Sequence, residues 1–253
     1  MIRSPLAHRF VRAANIEPRR NGRAVDMLVL HYTGMKSAAA AEALLVSADS
    51  GVSCHYLVTE AGEIVQMVGE ESRAWHAGVS SWKGESDTNS RSVGIEIDNP
   101  GHGADYHAFP EVQMKAVTAL CRDILSRHAI PPEQVLAHSD VAPGRKVDPG
   151  ELFDWQSLHA AGIGFWLEAS PPDERGLDGA ELRLFQSLLK EYGYGIEVSG
   201  QLDDATRRAT DAFQRHFRPA LVNAIPDACC LKTAERLVQA LRQSARSPGT
   251  SAS

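Results

Sequence analysis

Hydrophobic and polar positions follow two different rhythms along this chain. Through about the first 160 residues, short apolar or alternating runs recur between helical stretches. Residues 27–32 (MLVLHY) form a nearly continuous apolar run, the pattern of a central strand covered on both faces. Residues 37–49, rich in Ala, Leu and Glu, predict a helix. Residues 53–59 and 64–68 flank a turn containing Gly62 and predict a hairpin. Residues 92–98 alternate strictly, sending Val93, Ile95 and Ile97 to one face and Gly94, Glu96 and Asp98 to the other. Residues 109–128 predict a long amphipathic helix, with Val112, Ala116, Ala119, Leu120, Ile124 and Leu125 as its buried stripe. A further short strand is expected over 135–138. Alternating strands and helices imply an α/β domain, a mixed β-sheet flanked by helices, over residues 1–168.

The rhythm changes at 169–176 (ASPPDERG), which has the chemistry of a linker. Three helical runs follow, over 178–192, 203–217 and 231–242. In the first, Leu182, Phe185 and Leu189 share one face. Asp203 is placed to accept hydrogen bonds from the first free amides of the second. Residues 177–245 therefore read as a small all-α three-helix domain, expected to be separable from the first. Residues 246–253 read as a disordered tail. No internal repeat is evident.

Composition narrows the function classes. The chain has 253 residues and a formal net charge of -6, which argues against a general nucleic-acid binder. No window reaches the roughly 18–20 apolar residues of a membrane span. The first residues show no apolar export core, because Pro5, His8, Arg9 and Arg12 interrupt them. Cys54, Cys121, Cys229 and Cys230 form no C-x-x-C pair and are expected as free thiols in a reducing compartment. These features favour a cytoplasmic location, with the periplasm as the alternative.

Candidate chemistry sits at strand ends. His31 closes one apolar strand, His138 closes another, and Asp148 lies in the loop that follows. A rigid sheet presents such side chains to a cleft. Two imidazoles and a carboxylate suit Zn²⁺ and leave one tetrahedral position open. Zinc lowers the pKa of water from 15.7 toward about 7, yielding a nucleophile at neutral pH. In the loop 138–150, Lys146 precedes Asp148 by two residues, so both can address one site in an extended segment. A cation there could stabilise an oxyanion. Glu96, the polar member of an alternating strand, could carry a proton from water to a leaving amine.

Five ordered blocks carry a resemblance. They are the strand ending in His31, residues 53–58 (SCHYLV), 73–78 (RAWHAG), 93–99 (VGIEIDN) and 144–150 (GRKVDPG). In this order they resemble the type-2 N-acetylmuramoyl-L-alanine amidases, over roughly residues 24–161. The resemblance implies one zinc ion per chain, held by His31, His138 and Asp148, with Glu96 as general base and Lys146 assisting the transition state. Trp75, His76 and Asn99 are implied as substrate-binding residues, and His55 as structural. Phage-type members carry Tyr where this chain has Cys54, so no catalytic tyrosine transfers. Asp148, where many animal and phage members have Cys, aligns the chain with the bacterial recycling and lipoprotein group.

Residues 184–194 (LFQSLLKEYGY), 200–206 (GQLDDAT) and 212–214 (AFQ) resemble the three-helix peptidoglycan-binding module. The expected partner is therefore peptidoglycan or its muropeptide fragments, with no nucleic acid and no membrane span. The expected reaction is hydrolysis of the bond between muramic acid, or its anhydro form, and L-alanine, in wall recycling or turnover. A non-catalytic muropeptide-recognition protein is the alternative. A zinc protease is disfavoured because no His-Glu-x-x-His helix occurs.

Overall fold

The structure is a computed structural model that describes residues 2–103 and 105–246. Its elements, in chain order, are β1 (Arg9–Phe10), β2 (Ile16–Pro18), β3 (Met27–Tyr32), α1 (Ala38–Val46), β4 (Tyr56–Val58) and β5 (Ile64–Gln66). Next come β6 (Ser72–Ala74), α2 (Thr88–Arg91), β7 (Ser92–Ile97), α3 (Glu111–Arg127) and β8 (Val135–Ala137). The chain continues through α4 (His138–Val141), α5 (Trp155–Ala160), α6 (Gly179–Tyr192), α7 (Asp204–Phe217) and α8 (Ala228–Arg246). Six strands form one mixed sheet in the order β1-β5-β4-β7-β3-β8, and β2 pairs with β6 apart from it. Strand β3 lies next to the edge strand β8 and pairs in parallel with β7 on one side and β8 on the other. The expected hairpin is present as the antiparallel pair β4 and β5.

Alternation in β3 divides two layers. Leu28 and Leu30 join Val93, Ile95 and Ile97 in a core against Val117, Leu120, Cys121 and Ile124 of α3. The stripe of α3 is rotated from the expected one: Gln113 is buried, while Val112 is 51% exposed. Gln113 donates to the carbonyls of Val58 and Asp98, so a polar residue occupies a core-facing position. A count of apolar residues alone shifts the stripe by one.

The other face of the sheet changes the domain picture. Met27, Val29 and Leu136 share one apolar core with Trp82, Val141, Phe185, Leu189, Tyr192, Phe213 and Phe217. The helical region thus forms the third layer over the sheet and shares this core with it. The helix starts follow from local chemistry. Asp178 caps α6 by accepting from the amides of Ala180 and Glu181, and Asp203 caps α7 by accepting from Thr206. Of the tail expected over 246–253, only Arg246 is described, as the last residue of α8; the rest lies outside the described residues. All four cysteines are buried and free, as expected.

Candidate metal centre and active-site cleft

On β3 the positions Met27, Val29 and His31 point to the same face of the sheet. Apolar cover ends beyond Val29, and His31 stands at the carboxyl end of the parallel strands, where open α/β sheets present their binding crevice. Register places His31 beside Glu96 of β7. His138 follows β8 directly and opens α4. Asp148 returns to the same point because its carbonyl accepts from the Ser139 amide at 3.0 Å.

Three ligand-type atoms converge there. His31 Nδ1 lies 2.9 Å from His138 Nδ1 and 3.1 Å from Asp148 Oδ2, and His138 Nδ1 lies 2.9 Å from the same oxygen. All three residues are buried. Burial, with His138 nearby, lowers the His31 pKa to about 4, so its imidazole is neutral at physiological pH. Burial opposes ionisation of Asp148, but the two histidines outweigh it and hold the carboxyl well below its ordinary range. A metal binds the neutral form of an imidazole and the ionised form of a carboxyl, the forms in which His31 and Asp148 are held. The outer nitrogens have partners of their own. His138 Nε2 lies 3.1 Å from the Ala77 carbonyl, and His31 Nε2 lies 3.0 Å from His76 Nδ1. The donor set and these supports fit zinc.

A cleft of about 310 Å³ opens above the cluster, with Tyr32, Trp75, His76, Glu96, His138, Lys146 and Asp148 in its lining. Glu96 is partly buried, and its Oε2 is shut from solvent without a hydrogen-bond partner. Burial, then the charge of Asp148, pushes its pKa well up, while Lys146 pulls it down. A larger cleft of about 760 Å³, between α3 and Trp155, contains none of these groups.

The expected substrate contacts fare differently. Trp75 lines the cleft, with its indole Nε1 buried and without a partner. His76 borders the cleft, but both its ring nitrogens are engaged, one by His31 and one by Ser92 Oγ at 3.1 Å. Asn99 is fully buried and organises the following loop, donating to the His107 carbonyl and accepting from the Gly101 amide. Its amide is spent on the chain itself. His55, expected as structural, is buried and accepts from the Gly94 amide at 3.0 Å.

Two groups escaped the sequence reading. Arg145 donates to the carbonyls of Ala77 and Val79, bracing the loop beside His138. Its position next to Lys146 was the available clue. Asp140, two residues after His138, accepts from Tyr194 Oη and His216 Nδ1, each at 2.7 Å, and from the Ala137 amide at 2.8 Å. Nothing local in the sequence marks it, because its partners are 54 and 76 residues away.

Comparison with known proteins gives a consistent result. A family model of N-acetylmuramoyl-L-alanine amidase matches residues 21–151. A family model of a peptidoglycan binding domain matches residues 178–233. The N-acetylmuramoyl-L-alanine amidase AmiD of Escherichia coli is 38% identical over 235 residues, covering 85% of this chain and 83% of the relative. The structure of that enzyme in complex with the substrate anhydro-N-acetylmuramic acid-L-Ala-D-gamma-Glu-L-Lys superimposes with a TM-score of 0.77 at 36% identity. It covers 90% of this chain and 92% of the other. AmpDh3 from Pseudomonas aeruginosa, in complex with anhydromuramic pentapeptide, superimposes with a TM-score of 0.72 at 31% identity, covering 88% and 94%.

Proposed function

This chain belongs to the N-acetylmuramoyl-L-alanine amidase family, and from that we infer that it hydrolyses the amide between muramic acid, or its anhydro form, and the L-alanine of peptidoglycan stem peptides. The observation that carries the reading is the convergence of His31, His138 and Asp148 under a cleft that also holds Glu96 and Lys146.

His31 Nδ1, His138 Nδ1 and one oxygen of Asp148 would hold a single zinc ion. When bound, zinc supplies Lewis acidity, polarising the scissile carbonyl and acidifying water. Glu96 takes the proton from the attacking water as its oxygen bonds to the carbonyl carbon. The same carboxyl then gives that proton to the leaving nitrogen as the C–N bond breaks. The products are a muramic carboxylate and a stem peptide with a free L-alanine amine. Lys146 offsets the negative charge that develops on the carbonyl oxygen. A cation at the cluster also opposes the rise in the Glu96 pKa, keeping it available as a base. Trp75 forms an apolar wall against which the substrate packs.

The substrates of the two complexed relatives support an anhydro-muropeptide, and the peptidoglycan-binding helical region supports a polymeric wall fragment as well. No helix among the described residues is long and apolar enough to cross a membrane. The four unpaired thiols support a reducing compartment.

The test is product analysis. The full chain is incubated separately with an anhydro-muropeptide and with intact sacculi, and released peptides are identified by mass spectrometry. Stem peptides with a new N-terminal L-alanine are expected. Glu96→Gln should cut turnover by about 10²- to 10⁴-fold with zinc retained. Binding of the muropeptide without any release by the zinc-loaded wild type would establish the recognition reading instead.

A further inference from the structure

The chain that leaves Asp148 borders a second groove. Residues 145–148 help to line the metal cleft, whereas residues 151–157 line an open groove of about 760 Å³ against α3. Through Gln156, Trp166 and Pro219 it runs on into a further stretch of about 840 Å³ along the seam with the helical half. Its floor is a row of aromatic rings in contact. Phe109 meets Phe153, Phe153 meets Trp155 and Trp155 stacks on His216, at centroid distances of 5.3, 4.8 and 3.8 Å. Trp166, partly buried, packs on both apolar cores and stands where the two stretches join. Concave, mostly aromatic surfaces with a few polar groups are where ligands bind.

The charged side chains along the 760 Å³ stretch are already answered. Glu111 pairs with Lys115 at 2.6 Å, and Arg122 donates to the Ala161 carbonyl at 2.9 Å. Glu151 pairs with Arg215, and Asp154 accepts from the Ser157 amide at 2.9 Å. An ionic ligand would have to displace these partners or be buried without a counter-charge, which is costly. What is left is aromatic surface and the uncharged polar side chains of Thr118, Gln156 and Ser157. A neutral sugar ring matches that surface. Its C–H face packs on aromatic carbon, and its hydroxyl and acetamido groups exchange hydrogen bonds with uncharged side chains.

We propose that this groove is a second, non-catalytic binding site that holds the neutral glycan strand of peptidoglycan while a stem peptide lies in the metal cleft. The proposal rests on the peptidoglycan reading above and adds to it a separate site for the sugars. Trp155, Gln156 and Trp166 come from the stretch between the two regions that family models match, 21–151 and 178–233. The helical half adds only His216 and Pro219 to the 760 Å³ stretch, so the site belongs to the seam and not to the helices alone. Glu151 at its border follows Asp148 by three residues, so the groove starts beside the loop that carries Asp148.

The probe is the N-acetylglucosamine tetramer, a neutral sugar chain with no bond that this reaction cuts. Added to the full chain, it should shift the backbone amide signals of residues 115–119, 153–157 and 166 in ¹⁵N spectra and leave those of 145–148 in place. Trp166→Ala should weaken its binding about tenfold. Because Trp166 also packs on both cores, a second variant works from the surface. Ala119 lines the groove from an exposed position on α3, and Ala119→Arg fills the groove without entering the core. It should weaken binding as strongly, and raise KM on sacculi more than it lowers kcat. The absence of any saturable shift, shifts confined to the metal cleft, or unchanged tetramer affinity in a folded Ala119→Arg protein overturns the proposal. So does a groove that responds to a free stem peptide and not to the tetramer. Failure of the amidase reading alone would show differently, as no peptide released from any substrate while the tetramer still shifts the groove signals.

Discussion

The sheet half and the helical half of this chain are held by different kinds of contact. In the sheet half, buried polar groups answer one another across strands. Glu70 is fully buried and receives Tyr56, Arg127 and His128. Arg19, also buried, donates to the carbonyls of Glu70, Asn89 and Ser92. In the helical half, Phe185, Phe213 and Phe217 fill an apolar core. Two buried glutamines, each directly after a phenylalanine, pin the loop that follows their helix. Gln186 holds Gly200 and Gln201, and Gln214 holds Asn223, Ala224 and Ile225.

The 138–151 loop, which carries His138 and Asp148, lies between these halves and belongs to both. The helical half grips it through one face of α7. Arg208 packs where any side chain at Gly144 would have to go, Arg215 pairs with Glu151, and His216 binds Asp140 and stacks on Trp155. A region that resembles a wall-binding attachment therefore also acts as the outer wall of the catalytic half. Resemblance to a module identifies ancestry and chemistry; the shared core decides whether the module can be detached.

Detachment is the strongest way to break this comparison. A chain ending at Ala169 exposes the Met27, Val29, Trp82, Leu136 and Val141 surface and leaves Asp140 without two partners. It is expected to lose cooperative melting and zinc together, as circular dichroism and metal analysis would show. A folded, zinc-loaded, active fragment would establish two independent domains after all.

Asp140→Ala tests the grip without removing the helices. Three buried hydrogen bonds disappear, each leaving an unpaired partner at about 1–3 kcal/mol, for a loss of roughly 3 kcal/mol or more. The melting temperature should fall by about 10 °C. Gln214→Ala also frees the Asn223, Ala224 and Ile225 groups, but these bonds are only part-buried and water can replace them. It should therefore cost less, about 2 kcal/mol, and leave zinc binding intact, because none of these partners lies in the 138–150 loop. Equal effects of the two variants on zinc retention would erase the distinction between gripping and merely packing.

Mild acid gives the smallest expected effect and reports on the sheet half. Burial, followed by the charge of Arg19, lowers the His55 pKa from 6.5 to about 3. The folded value lies below the unfolded one, so this stability is complete above about pH 6.5 and is lost as pH falls toward 3. Protonation at Nδ1 would also break the bond from the Gly94 amide. Between pH 7.5 and 5.5, hydrogen exchange at Gly94 should quicken more than exchange in α8 after correction for the intrinsic rate. A uniform response would remove the link to His55.

Much of the fold was legible because its strongest signals are local. Residues 27–32 are wholly apolar up to His31 and form β3 as expected, and the aspartates at 178 and 203 mark helix starts correctly. The two-residue β1 and the three-residue β2 were not legible, since each exists only by pairing with residues more than 50 positions away. For the site, the strand-end histidines and the Lys146–Asp148 loop were legible, and the structure brings them together in one cleft. His76 and Asn99 are expected from the sequence to face substrate, and a segment bordering a cleft does not reveal which way its polar atoms face. Here they face inward, toward His31 and toward the 101–107 loop.

The most direct measurement is the zinc content of the purified full chain and of its His138→Ala variant, read beside the release of L-alanine stem peptides. The account predicts one zinc per wild-type chain, and loss of both metal and cleavage in a variant that still melts cooperatively. A folded His138→Ala protein that keeps its full zinc and cleaves normally would contradict it.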